Sequence, residues 1–169
     1  MSLQRRSLLI ATQGGGGDTK AYLYNEGDEC TALTGGWAGY KRSGNDANPS
    51  ADVIIGASSI TIPSSGNDSY YFATTNNAVD LTPYSKLVVI FKRVSGSQNY
   101  SNAQVCASPT YNLINGNTRY FGPTMYAGAG YEGQTLTFEY DISSYSVSAF
   151  IGILSYYAEN EIFSVYLEL

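Results

Sequence analysis

Residues 135–142 read TLTFEYDI. Leu136, Phe138, Tyr140 and Ile142 fall on one side of an extended chain, and Thr135, Thr137, Glu139 and Asp141 on the other. That alternation is the mark of a half-buried β-strand. The C-terminal IFSVYLEL (162–169) repeats it: Phe163, Val165, Leu167 and Leu169 are predicted to point one way, Ser164, Tyr166 and Glu168 the other. LVVIF (87–91) and FIGIL (150–154) are unbroken apolar runs of strand length, which suits strands covered on both faces. Tyr22–Tyr24, Val53–Ile55 and Ser59–Ile62 are shorter candidates.

Turn-forming clusters separate these segments: SGNDANPS (43–50), PSSGND (63–68), SGSQN (95–99) and INGN (114–117). No window supports an amphipathic helix of useful length. Many short strands at this spacing predict an all-β fold, an antiparallel β-sandwich or jelly roll. An internal echo sharpens the expectation. Asp80-Leu81-Thr82-Pro83-Tyr84-Ser85 matches Asp141-Ile142-Ser143-Ser144-Tyr145-Ser146, and each copy precedes one of the apolar runs. Asp and Ser/Thr side chains can bond nearby backbone N–H groups and fix a turn. Each copy therefore reads as a corner that passes the chain from one sheet into a central strand.

The chain has 169 residues, one domain's length, and a net charge of −5. Only 14% of residues are charged, and Gly, Ser, Thr, Asn and 16 tyrosines fill the difference. An acidic body without a basic face argues against nucleic acid as a partner. No apolar run reaches the length of a membrane helix. Residues 1–20 stand apart as a basic, weakly apolar leader with a flexible hinge at Gly14–Gly17, and residues 21–169 form the expected single domain. Arg5-Arg6 followed by Leu8–Ala11 imitates a signal peptide, but the apolar part is too short for one.

The chain contains no histidine. Ser-His-Asp and Cys-His arrangements and histidine metal ligands are therefore absent, and neither GxSxG nor SxxK occurs. The glycine-rich runs are followed by neither a helix nor GK[ST], so they do not read as phosphate loops. Carboxylates are plentiful, yet no pair stands in a context that marks a glycosidase. The expected protein is not an enzyme. Cys30 and Cys106 form no recognisable motif and read as buried small hydrophobes or as one bridge.

YNEGDECTALTGGW (24–37) is the densest acidic stretch. It reads as a strand, an acidic turn and a second strand leading to an aromatic edge. Its oxygens also suit calcium, although the EF-hand register is missing. The tyrosine surplus is more informative. Buried hydroxyls need partners, so not every ring belongs to the core. Trp37, Tyr40, Tyr70, Tyr71, Tyr126 and Tyr131 lie beside Gly, Asn or Ser. That mixture suits a recognition surface of rigid rings and small polar groups, and a sugar would use the same parts.

Two stretches carry a family resemblance. TTNNAVDLTPYSKLVV (74–89), and YDISSYSVSAFIGI (140–153) with VYLEL (165–169), resemble the corner-and-strand signatures of carbohydrate-binding-module-like, galactose-binding-type jelly rolls. The opening YLYNEGDECTALTGGW, after the leader LQRRSLLIA, resembles small structural proteins encoded near the tail genes of phages and prophages of gut Firmicutes. The resemblance spans most of the chain. It implies a sandwich of about eight strands on a tail tip, baseplate or fibre of a virion, outside the cell after release, recognising cell-surface carbohydrate. It also implies a structural Ca2+ near Glu26, Asp28 and Glu168. Two other roles are open: a self-assembling homo-oligomeric virion protein whose tyrosines lie at subunit interfaces, and a glycan-cleaving enzyme that uses carboxylates alone.

Overall fold

A computed structural model describes residues 20–43, 46–64, 70–96, 102–113, 119–125 and 130–169. The expectations for residues 1–19, and for Tyr126, fall outside these. The strands are β1 (Lys20–Asn25), β2 (Trp37–Ser43), β3 (Asp46–Pro49), β4 (Ile54–Ile55), β5 (Ile60–Ile62), β6 (Tyr71–Thr75) and β7 (Val79–Asp80), followed by β8 (Lys86–Gly96), β9 (Asn102–Ser108), β10 (Thr124–Met125), β11 (Thr135–Asp141), β12 (Ser148–Tyr156) and β13 (Ala158–Glu168). A single helical turn, α1 (Thr31–Thr34), lies between β1 and β2.

All pairings are antiparallel, in two sheets. The first runs β11-β8-β13-β5-β4, and β1 pairs with the C-terminal half of β13 beside β5. The second runs β10-β9-β12-β6-β2-β3, with β7 on the start of β12. The protein is an all-β sandwich, as the alternation predicts. Leu87, Val89, Phe91, Ile162, Val165 and Leu167 of the first sheet meet Trp37, Ala73, Val105, Ile151 and Ile153 of the second. Leu136, Phe138 and Tyr140 pack together against this core at the edge.

The two echoing corners are built alike. Asp80 Oδ1 accepts the Thr82 N–H at 3.0 Å, and Asp141 Oδ1 accepts the Ser143 N–H at 2.9 Å. Each turn closes through its tyrosine, Tyr84 N–H to Leu81 O and Tyr145 N–H to Ile142 O. The corners also bind each other: Leu81 N–H donates to Val147 O at 2.9 Å and Ile142 N–H to Ser85 O at 2.8 Å. One carries the chain from the second sheet into β8, and the other from the first sheet into β12. Leu81 and Ile142 are fully buried at these crossings.

Three local expectations are corrected. The alternation of β13 breaks at Phe163, where a bulge between Ile162 and Ser164 shifts the register against β8. Ile162, Val165 and Leu167 therefore point inward, Phe163 stays outside the core cluster, and Leu169 is exposed. The acidic stretch does not form a simple hairpin, because β1 and β2 belong to different sheets and α1 lies between them. Cys30 adopts a left-handed conformation (φ 47°) at the start of that turn. Lys20, assigned to the leader, is the first residue of β1 and reaches Glu168.

The outer side of the first sheet is laced with ion pairs: Lys20–Glu168, Lys86–Glu168, Lys86–Glu139 and Lys92–Glu161. Such partly exposed pairs contribute little. Glu161→Gln is expected to cost no more than ~1 kcal/mol, measured by urea unfolding, with the difference shrinking in high salt. Arg93 differs. It follows Leu87, Val89 and Phe91 on the inner side of β8 and is 1% exposed, with Nη2 on Gly96 O at 2.9 Å and on Glu132 at 3.4 Å.

Candidate functional site

Strand parity decides which aromatic rings share a surface. Trp37 begins β2 and points inward. It is 5% exposed, and its indole N–H crosses the sandwich to Leu23 O at 2.8 Å. Tyr40, three residues on, points outward. Tyr70 and Tyr71 are neighbours in the chain and therefore diverge. Tyr71 lies in the core with its hydroxyl on Asp52 Oδ2 at 3.1 Å, and Tyr70 sits on the outer face. Tyr131 is 49% exposed in the turn before β11, on the first sheet. Of the five described aromatic residues singled out from the sequence, the structure brings Tyr40 and Tyr70 onto one face and sets Trp37, Tyr71 and Tyr131 elsewhere.

That face is the outer side of the second sheet. Its register aligns Pro49, Tyr40, Phe72, Leu154, Gln104 and Thr124 across six strands. A second row holds Ala47, Arg42, Tyr70 and Tyr156: Arg42 pairs with Ala47, its N–H donates to Tyr70 O at 2.8 Å, and the Tyr70 and Tyr156 rings meet edge to face at 4.6 Å. Phe72, Cys106, Leu113 and Leu154 form a small buried cluster beneath the segment that follows β9. Leu113 docks against Gly152, where a side chain would collide with it.

Three rings rise from this cluster toward solvent. Phe72 is fully buried, and Tyr40 stacks on it at 5.2 Å and 17°. Tyr111 packs on Tyr40 at 5.4 Å and is 47% exposed. Beside them Arg119 donates from Nε to Leu113 O and from Nη1 to Gln104 Oε1 at 3.0 Å. Gln104 Oε1 also accepts the Tyr156 hydroxyl at 3.3 Å. Burial raises the Tyr156 pKa while Arg119 opposes the rise, and burial chiefly raises that of Tyr40, with help from Tyr111. Both hydroxyls therefore stay protonated at neutral pH and can donate. The Arg42 guanidinium lies 5.0 Å from the Tyr70 ring centre, a cation–π distance.

Sequence reasoning missed Tyr111, Tyr156, Arg42, Arg119 and Gln104. Parity would have found Arg42, two residues after Tyr40. Tyr111 and Arg119 lie in irregular segments that have no period to read.

The metal set is not assembled. Glu168 pairs with Lys20 at one end of β1, whereas Glu26 and Asp28 follow its other end. Six residues of strand separate them by about 17 Å. Asp28 Oδ1 accepts the Cys30 N–H at 2.8 Å, and Glu29 Oε2 accepts the Trp37 N–H at 2.7 Å. Among the described residues no three metal-ligating side chains cluster. Glu26, Asp28 and Glu168 therefore do not fit the implied calcium. Both cysteines are free, which excludes the single bridge. Burial lifts each thiol to about 11, aided by Asp28 at Cys30 and opposed by Arg119 at Cys106. Neither is a thiolate at neutral pH.

No protein-family model matches the chain, and no curated protein matches its sequence. Solved structures do. The K1 cleaved adhesin domain of Lys-gingipain from Porphyromonas gingivalis W83 aligns with a TM-score of 0.51 at 14% identity, covering 90% of this chain and 98% of that one. The K3 cleaved adhesin domain of the same protein aligns at 0.50 and 10% identity, covering 78% and 90%. A family 11 carbohydrate-binding module from Clostridium thermocellum, solved with a β-1,3-1,4-mixed-linked tetrasaccharide, aligns at 0.47 and 16% identity, covering 78% and 87%. At these identities the adhesin-domain likeness is one of fold alone, the all-β sandwich.

Proposed function

We propose that this protein is a non-enzymatic glycan-binding β-sandwich whose site is the outer face of the second sheet. One observation carries the reading. The first sheet's exterior is laced by lysine–glutamate pairs, whereas the second sheet's exterior presents Tyr111, Tyr40, Tyr70 and Tyr156 with Arg42, Arg119 and Gln104 among them. Flat rings offer area to the apolar faces of pyranoses at low entropic cost, and the amide and guanidinium groups meet hydroxyls. Strand spacing gives this surface a width of about 14 Å from β2 to β9, enough for a short oligosaccharide. The fold likeness to adhesin domains fits the reading. The sequence resemblance alone supports the setting we propose with it, a tail component of a phage or prophage virion acting outside the cell on host-surface carbohydrate.

Glycan-array screening followed by calorimetric titration tests the proposal. Tyr111→Ala is expected to weaken binding about tenfold, ~1.4 kcal/mol, while stability falls by no more than about 1 kcal/mol because the ring is about half exposed and packs on Tyr40 from outside the core. If no glycan binds, or if Tyr111→Ala leaves the affinity unchanged, the site is wrong. A protein that ignores sugars and sediments as an oligomer is instead a self-assembling structural component.

A further inference from the structure

We infer that β11 is a docking edge for a second copy of this chain. Two copies pair along Thr135–Asp141, antiparallel and centred on Phe138, so that the first sheet runs on from one protein into the other. The first support is the form of the edge. Among the described residues β11 ends the hydrogen-bonded order of its sheet. Its seven residues pair with residues 86–92 of β8 in one unbroken register. Long, regular edges template further pairing, and proteins blunt them with lysine, proline, bulges or shortness. The other edges carry those devices: β3 ends in Pro49, β4 and β10 are two residues each, and β1 has Lys20 and a bulge between Tyr22 and Tyr24. β11 has neither lysine nor proline. Its two carboxylates are already engaged, Glu139 with Lys86 at 3.0 Å and Asp141 with the Ser143 N–H and hydroxyl.

The second support is the direction of the backbone groups. Ile142 N–H donates to Ser85 O at 2.8 Å, in the same register as the β11–β8 pairs. Alternation then turns the N–H and C=O groups of Leu136, Phe138 and Tyr140 toward β8, and those of Thr135, Thr137, Glu139 and Asp141 toward the edge. The side chains divide by the same parity. Leu136, Phe138 and Tyr140 face the core but are only half-buried, whereas their partners on β8, Phe91, Val89 and Leu87, are closed off. A strand added at this edge gains backbone bonds and covers that apolar row.

Self-complementarity selects the occupant. A twofold axis at Phe138 sets Leu136 opposite Tyr140, and Phe138 opposite itself, on the inner side. On the outer side Thr137 stands opposite Glu139 and Thr135 opposite Asp141, so hydroxyls meet carboxylates. The four edge-facing residues of each copy then exchange about eight backbone bonds in all. A one-residue slip would set outward side chains against inward ones. Centring on Glu139 would oppose two carboxylates, which destabilises a strand pair. Centring on Thr137 would bring Asp141 against Gly133, which has φ 77° in the turn before β11, and would shorten the contact. One strand per copy belongs to the small end of specific interfaces, below about 1,200 Å2 in total, so the dimer is reversible. Its axis is normal to the joined sheet, so both second sheets lie on one side and their outer faces look the same way.

Sedimentation velocity of the full chain at rising concentration, up to about 1 mM, tests this. A monomer–dimer equilibrium is expected. Thr137→Glu sets a second carboxylate opposite the partner's Glu139 and should raise the dissociation constant about tenfold. Thr137→Lys sets an ammonium there and should lower it severalfold, an effect that fades in high salt. Thr137→Pro removes an edge-facing N–H without touching the β8 ladder and should abolish the dimer. If the proline unfolds β11, the two charge variants still decide. The same two charge changes at Thr110, exposed beyond β9 of the second sheet, should move nothing. A monomer at every concentration overturns the inference. So does a dimer that Thr137→Glu and Thr137→Lys leave unchanged, or that the Thr110 variants shift as far. No glycan enters these measurements, so their failure leaves the proposed function standing.

Discussion

Trp37→Ala is expected to lower the folding free energy by about 3–5 kcal/mol and to leave the glycan affinity of the folded fraction unchanged. The indole belongs to the second sheet, yet its N–H bonds Leu23 O in β1 of the first, and its ring meets Tyr24 edge-on at 6.3 Å. It therefore ties the two layers together at the end where the chain enters the fold. Truncation opens a cavity and orphans a buried carbonyl. Trp37→Phe separates these effects. It restores much of the apolar volume but still orphans Leu23 O, so about 1–3 kcal/mol of the loss should remain. Urea unfolding with an unchanged slope measures both variants. If Trp37→Ala instead weakened glycan binding as much as Tyr111→Ala while stability held, the indole would be a ligand contact and the inward orientation wrong.

The same residue shows what was legible in the sequence and what was not. The alternation of TLTFEYDI, the two apolar runs and the paired corners each depend on a short, local period, and these features carried the layer architecture. The corners were legible as turns, but not as partners, because the Leu81–Val147 and Ile142–Ser85 bonds join segments some sixty positions apart. The candidate site was read less well because it grouped aromatic residues by nearness in the chain. In a strand, neighbours point to opposite faces, so Tyr70 and Tyr71 had to separate, and Trp37 had to part from Tyr40. Phe163 escaped for a different reason: a bulge inserts a residue and reverses parity without a reliable signal in composition. The calcium set failed on length, since β1 lies between Glu26 and Glu168. Tyr111 and Arg119 were invisible because their positions depend on what Leu113 docks against.

That docking gives the second large effect. Gly152 lies in the middle of β12, between Thr74 of β6 and Cys106 of β9. A Cβ there would stand 2.5 Å from Ala73 O and would strike Leu113 Cδ1 more closely still. Gly152→Ala is therefore expected to cost about 1–3 kcal/mol through overpacking. It should also weaken glycan binding, although the residue touches no ligand, because displacing Leu113 moves the carbonyl that holds Arg119 and the segment that carries Tyr111. Leu113→Ala removes the same dock from the other side, at about 2–5 kcal/mol. The double variant should lose less than the sum, since the new methyl at 152 enters space that Leu113 has vacated, while the clash with Ala73 O keeps recovery incomplete. A double-mutant cycle by urea unfolding, run beside glycan titration of the four proteins, reads both quantities. Additive stabilities, or a Gly152→Ala protein with unchanged affinity, would show that something other than this contact holds Tyr111 and Arg119 over the sheet.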